Sequence, residues 1–486
     1  MKSPPPRGTP ATEPGRLEEL VRRSPPLTVS LSIHILLLLA LALWVVRARR
    51  DDKLVLDLSV ASPEVVEAPE PGVQVVPHPE PVKEPEPENA TPDKPRDDEP
   101  KSPPASHEPS DAPGAAVLEA TAPAVGALLD GRAEGLRAAL VNAFGGSDAT
   151  EAAVARALEW LRKHQEKDGL WSLQGPYVDG GSQENRLAAT AMALLAFQGA
   201  GNTSREGRYR EAVRRGWKAL VKTQQPDGRF ECTPSIPALH TLYSHAQATI
   251  AACELLGMTK DDAHREPARL ALAYAIAAQG ANGGWKYQPG QAGDMSVTGW
   301  YMMALKSGQM AGLEVPAERL ERLASFLDSV AVSDGTRYRY QAAVPGRQLA
   351  PVSDAISAEG LLARQYLGWR PGDRRLSAGL ELLLAAKSFD WENDKDVYAW
   401  YYITQVAHHA GGEAWRRWND RMKAVLPAMQ VQNGSERGSW DPSGDEWGHI
   451  GGRLFTTCFC TLMLEAYYRH LPLFTEEAVP AAVTPW

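Results

Sequence analysis

From about residue 150 onward the chain repeats one pattern six times: a helical stretch runs into a turn, and an aromatic residue closes the turn. The clearest copies are Ala157-Leu158-Glu159-Trp160-Leu161 leading to Gln165, Asp168-Gly169 and Trp171; Arg215-Gly216-Trp217 leading to Gln224, Asp227-Gly228 and Phe230; and Ala273 leading to Gln279, Gly283-Gly284 and Trp285. Weaker copies close at Tyr338, Trp391 and Trp440. Successive closing aromatics stand about 50 to 60 residues apart, a period that marks a repeat architecture.

Each copy holds two helices. The first carries an apolar stripe, as in Val154, Leu158 and Leu161, and the Asp-Gly or Gly-Gly turn stops it. The second is apolar on all sides and rich in small residues: Leu187 to Ala200, Tyr243 to Leu256, Val297 to Ala311, Ala355 to Leu367, Val397 to Ala410, and Leu454 to Tyr467. A helix that is apolar all round is buried. Six pairs of half-exposed and buried helices predict an all-α closed ring, inner helices surrounded by outer ones. Closure buries the end faces that an open solenoid must cap.

Ahead of the repeats, Leu27 to Val46 is free of Lys, Arg, Asp and Glu and is about twenty residues long, the length a helix needs to cross a bilayer. Arg22 and Arg23 precede it, and Arg47, Arg49 and Arg50 follow. Trp44 sits where an interfacial aromatic would. A cleaved signal peptide fits less well, because the basic run after the span is not a cleavage site. The basic flanks are nearly balanced, so charge alone does not orient the span. Lys53 to Val60 could form a short strand.

The stretch from Pro63 to Ala115 carries 13 acidic against 4 basic residues, which matches the net charge of −9 of the whole chain. It is crowded with Pro and cannot bury enough apolar surface to fold. Fully extended it reaches well over ~100 Å, and as a relaxed coil roughly 50 Å. The remainder of the chain is near neutral and has no basic face, so a nucleic-acid partner is not expected. Cys232, Cys253, Cys458 and Cys460 lack Cys-x-x-Cys spacing and read as buried thiols. The expected organisation is a cytoplasmic tail (1–26), a transmembrane helix (27–46), a disordered Pro/Glu-rich stalk (47–115), a helical lead-in (116–145), the ring (146–474) and a tail (475–486).

The Gln-x-x-x-Gly-x-Trp turn at Gln165, Gly169 and Trp171, with Arg215-Gly216 opening the next copy, resembles the terpene cyclase/protein prenyltransferase superfamily over about residues 146 to 474. That resemblance implies an (α/α)6 toroid with a cavity on its axis. It speaks to fold more than to function. Squalene-hopene cyclases of the superfamily use an Asp-x-Asp-Asp acid; the nearest run here, Asp394-Lys395-Asp396-Val397, lacks the final Asp and is interrupted by Lys. Prenyltransferases hold zinc with Asp-x-Cys and a later His. Asp294-Met295-Ser296 has Ser for that Cys, and Thr456 stands where the His would. Hydroxyls are poor zinc ligands, so neither a metal nor any other cofactor is expected. No cysteine opens the Cys-Gly-Glu-Gln thioester of complement-like relatives.

Polar residues fall near the starts of the buried helices and gather at one end of the axis if those helices all run the same way. The candidate cavity residues are Tyr243, His245, Asp294, Ser296, Trp300, Asp354, Asp396, Tyr398 and Thr456. A mostly apolar wall with a few polar groups is what a ligand pocket needs. The competing assignment makes Asp294, Asp354 and Asp396 helix caps and the aromatics core.

Ser30 and His34 share one face of the predicted membrane span. With the Glu-Pro stalk behind them, they resemble the N-terminal part of TonB over about the first hundred residues. That resemblance implies a bacterial inner-membrane location, the N-terminus inside and the ring in the periplasm, with ExbB/ExbD-like motor proteins as partners of the Ser30/His34 face. The resulting expectation is a membrane-anchored, non-catalytic protein whose ring binds an unknown small-molecule or protein ligand. The alternatives are a terpenoid- or glycan-acting enzyme that uses the cavity, and a motor-coupled adaptor.

Overall fold

The computed structural model describes residues 127–231 and 236–473. The predicted membrane span, the stalk and Cys232 lie outside them. A short 3-10 turn, Ala127–Arg132, and helix α1, Glu134–Ala143, lead in. Six helix pairs follow. The outer members are α2 (Asp148–Lys163), α4 (Arg210–Val221), α6 (Asp262–Ala277), α8 (Ala317–Val330), α10 (Arg374–Ala386) and α12 (Gly412–Met429). Their inner partners are α3 (Arg186–Gly199), α5 (Ala238–Thr259), α7 (Met295–Met310), α9 (Asp354–Tyr366), α11 (Val397–Ala410) and α13 (Gly448–Leu464). A short α14, Ala466–Arg469, ends the described chain, and a two-stranded ribbon pairs Ala331–Val332 with Arg337–Tyr338.

The inner helices pack in chain order, α3 on α5 and so on to α13, and α13 packs back on α3. The ring is therefore closed. Every residue of α3 after Arg186 is buried, as an inner helix requires. Helix α2 buries only one face, with Val154, Ala157, Leu158 and Leu161 turned inward. Ser147 and Thr150 start it with reciprocal side-chain-to-backbone hydrogen bonds of 3.3 and 3.0 Å.

The repeated residues build the joints between pairs. Gln165 Nε2 donates to Gly169 O in its own turn (2.8 Å) and to Ala212 O in the next outer helix (2.9 Å). Gln224 bridges to Pro267 O and Gln279 to Arg319 O in the same way, at 2.9 and 3.0 Å. Gln430 makes the joint that completes the ring, donating to Ala153 O of α2 at 2.8 Å. The turn glycines have left-handed backbones and also press on the neighbouring outer helix, so a side chain is excluded on both counts. A Cβ on Gly438 (φ +100) would stand 2.2 Å from Arg156 O, and one on Gly283 (φ +87) 2.0 Å from Arg322 O. The closing indoles turn back to the preceding outer helix: Trp171 Nε1 to Leu161 O (2.7 Å), Trp285 Nε1 to Ala275 O (2.8 Å), Trp440 Nε1 to Leu426 O (2.8 Å).

One end of the ring is sealed by the beginning and end of the described domain. Arg132 Nη1 donates to Glu254 Oε2 of α5 at 2.7 Å, and Arg469 Nη2 reaches the same oxygen at 3.1 Å. Arg132 Nε also caps Arg469 O at 2.7 Å. All three side chains are buried. Burial alone would raise the Glu254 carboxyl, but the two guanidiniums and His470 hold it well below the usual carboxylate range. Among the described residues no helix is long and apolar enough to cross a membrane; the span Leu27 to Val46 is not among them.

Candidate functional site

The N-terminal ends of all six inner helices surround a cavity of about 700 Å³ that opens to solvent. Asn185 at the start of α3, Tyr243 of α5, Ser296 and Trp300 of α7, Asp354 of α9, Asp396 and Tyr398 of α11, and Phe455 of α13 line it. Tyr287 from the α6–α7 loop and Tyr340 from the α8–α9 loop add two more rings, and the half-exposed Leu239 and Trp447 stand at its mouth. The wall is mostly aromatic and aliphatic, with hydroxyls and carboxyls set into it, the composition typical of small-molecule chambers. Trp300 is the floor. It also borders a second, much smaller space of about 10 Å³ on the sealed side, beside Lys306, Glu254, Arg469 and His470.

Six of the nine residues expected at the cavity, Tyr243, Ser296, Trp300, Asp354, Asp396 and Tyr398, line it. His245, Asp294 and Thr456 do not, each for a local reason. The His245 Nδ1 accepts the Phe230 backbone N–H at 3.2 Å, and its Nε2 faces Ala271 O at 3.2 Å. It fills the place that Thr190 and Thr298 fill in other copies, where their hydroxyls accept from Trp171 N and Trp285 N. Burial lowers its pKa to about 4, so it is a neutral structural imidazole. Thr456 is fully buried and returns its hydroxyl to Gly452 O at 3.4 Å; its neighbour Thr457 accepts from Trp440 N.

Asp294 is a helix cap, with Oδ1 accepting Val297 N–H at 2.9 Å. It still reaches the chamber through a relay: Tyr340 OH donates to Asp294 Oδ2 at 3.0 Å, and Tyr287 OH lies 2.7 Å from Tyr340 OH. Burial lifts its carboxyl to about 6, against the opposing pull of these donors. Asp396 caps α11 through Ala399 N–H at 2.9 Å and lies 3.4 Å from Lys387 Nζ. Asp354 does not cap α9. Ser353 does, through Ile356 N–H at 3.2 Å, and Asp354 instead pairs with Arg337 at 2.9 Å.

Sequence reasoning missed Glu359. This α9 side chain is fully buried; the Tyr398 hydroxyl beside it acts on its carboxyl, which makes no well-formed hydrogen bond and no ion pair. Its one sequence signal is an acid in the middle of an apolar inner helix. Among the described residues no group of three His, Cys, Asp or Glu side chains is arranged to hold a metal ion. Cys253, Cys458 and Cys460 are free and buried, and burial pushes their thiols up.

A closed ring of inner and outer helices with an axial chamber defines a terpene cyclase-like α/α toroid. Residues 134–237 match the squalene-hopene cyclase C-terminal domain family. No curated protein matches the chain. Among solved structures it is similar to an α-1,6-mannanase, GH76A of Salegentibacter sp., at 11% identity over 66% of this chain and 99% of that one, with a TM-score of 0.48. It is also similar to an α-amylase from Clostridium perfringens (10% identity, 65% and 98% covered, TM-score 0.46) and to the type II terpene cyclase MstE from Scytonema (13% identity, 66% and 98% covered, TM-score 0.43).

Proposed function

We propose that the toroid is a ligand-binding domain whose axial chamber takes up one small, largely apolar molecule, and that the N-terminal span and stalk tether it in the bacterial cell envelope. One observation carries this reading: the inner-helix ends converge on a chamber of about 700 Å³ that has aromatic walls and an open mouth. Two of the wall's acids are engaged in scaffold roles, Asp396 as a cap and Asp354 in an ion pair, which favours binding over turnover. In this reading Leu27 to Val46 anchors the protein in the inner membrane, the ring lies in the periplasm, and the stalk lets it search for its ligand. The Ser30/His34 face would be where ExbB/ExbD-like motor proteins dock.

Native mass spectrometry of the full chain purified from its own cells, with analysis of co-purified small molecules, tests the proposal. A stoichiometric small molecule that is lost on Trp300→Ala supports it. A chamber that is empty in every preparation, and stays empty when the protein is incubated with an extract of the cell's lipids and metabolites, overturns it.

A second reading, catalysis in the same chamber, is favoured by Asp294. Its pKa near 6 and its tyrosine relay to the wall suit a general acid or base. Appearance of an altered product in the same incubation would replace binding by catalysis.

A further inference from the structure

The cations and acids of the chamber wall do not balance. Arg337 is committed to Asp354 at 2.9 Å, and Lys387 to Asp394 and Asp396 at 3.0 and 3.4 Å. Lys286 stands 5.4 Å from the Tyr287 ring centre and acts on Asp294 through its charge, without pairing with it. Neither Asp294 nor Glu359 makes an ion pair among the described residues, although both are buried just behind the chamber wall, Asp294 behind Tyr340 and Glu359 against Gly299. The Glu359 carboxyl lies against Gly299, the residue between the wall residues Ser296 and Trp300 in α7. A Cβ on Gly299 would stand 2.8 Å from Glu359 Oε2, so the missing side chain is what makes room for the acid. Tyr398 stands on its other side, with its hydroxyl 3.2 Å from Ser296 Oγ. In front of the pair the chamber presents the rings of Tyr243, Trp300 and Tyr398.

Resting on the binding reading above, we infer that the chamber floor is a site for an organic cation: the ligand carries an ammonium group that packs on the faces of Tyr243, Trp300 and Tyr398, with Glu359 and Asp294 as its buried counter-charges. Aromatic faces attract alkylammonium groups electrostatically, most strongly where water is excluded. A buried carboxyl without a partner is costly when ionised and takes up a proton instead. Burial accordingly lifts Glu359 well above the usual carboxylate range, with Asp294 adding to the shift and Tyr398 opposing it. An incoming cation reverses that balance, and the displaced proton leaves to solvent. The same chemistry disfavours an anionic ligand, because the cations that would receive it are already paired.

The test is isothermal titration calorimetry of the full chain with choline and with its neutral carbon isostere, in which a tert-butyl group replaces trimethylammonium. The two probes have nearly the same shape. We expect choline to bind at least about tenfold more tightly, with a binding heat that changes between buffers of different ionisation enthalpy because protons are released. Glu359→Gln should remove most of the choline preference and leave isostere binding unchanged. Equal affinity for the two probes, or an undiminished choline preference in Glu359→Gln, would overturn the cation site. So would the absence of choline binding; the chamber reading is then decided separately, by whether a small molecule co-purifies. The wild-type comparison stands without the variant, should that fail to fold.

Discussion

The backbone N–H of Trp171 donates to the hydroxyl of Thr190 at 3.0 Å, tying the turn that ends one helix pair's outer member to the inner helix that follows. The relation recurs between Trp285 and Thr298 at 2.9 Å, Tyr338 and Ser357 at 3.2 Å, and Trp440 and Thr457 at 3.2 Å. In these copies the bond fixes the inner helix, and in four copies a turn glutamine, Gln165, Gln224, Gln279 or Gln430, fixes the next outer one.

Ring closure should be the most sensitive of these joints. Gly438→Ala forces a Cβ onto Arg156 O from a left-handed backbone, and Gln430→Ala removes the bonds to Ala153 O and Gly438 O. Each is expected to cost about 2 kcal/mol or more, from backbone strain or from buried carbonyls left unpaired. Urea unfolding followed by circular dichroism would show it. A loss below ~0.5 kcal/mol in both would mean that the ring does not depend on this joint.

Glu254 is the counter-ion of Arg132 and Arg469 at the sealed end. Glu254→Gln leaves the buried Arg132 without a carboxylate and Arg469 with Glu465 alone, at 3.6 Å, and should cost about 3–5 kcal/mol. The folded-state pKa of Glu254 is depressed. Its contribution is therefore present above the unfolded pKa near ~4.3 and is lost as pH falls through the folded value. The wild-type protein should lose stability in acid more steeply than the variant, which calorimetry over pH 3–7 would measure.

Asp294 has the opposite sign. Its folded pKa is raised to about 6, so the native state binds more protons than the unfolded chain between ~3.9 and that value. Stability from this group falls as pH rises through that window, by on the order of 3 kcal/mol in all. Asp294→Asn keeps an N-cap side chain and removes the charge. It should melt no lower than wild type at pH 8 and show a flatter dependence between pH 4 and 7. A melting temperature that follows wild type at every pH would contradict the assignment.

Trp300 divides the open chamber from the small space beside Lys306. Trp300→Ala should join the two and cost about 3–5 kcal/mol through the cavity it leaves. In the wild type burial lowers the Lys306 amine to about 8; opening the space in the variant lets water and acylating reagents reach it. Acetylation of Lys306 by acetic anhydride, read by peptide mass spectrometry, is expected in the variant and not in wild type. Equal labelling of both would show that Trp300 is not the barrier.

Most of the fold was legible in one sequence. The six apolar stretches became the six inner helices within a few residues, because burial on all sides leaves its mark at every position. The last begins earlier than expected, at Gly448, since the chain continues through a left-handed bend at Gly452. The candidate site was read less well. Ser296, Trp300 and Tyr398 could be placed by their position at helix starts, but nothing local separates Thr456, which faces the core, from a wall residue one or two positions away. His245 looked chemical and is a substitute for threonine in the turn-to-helix joint.

The sequence alone determined the repeat, the inner and outer character of each helix, and the acidic charge of residues 63–115, because these depend on periodicity and composition along the chain. Only the tertiary structure decided that Gln430 meets Ala153, that Arg132 and Arg469 share Glu254, and that Glu359 is buried beside Tyr398 without a cation. Those relations join residues far apart in the chain. Their energies come from burial and from the partners that burial supplies or withholds, and neither is written in a local pattern.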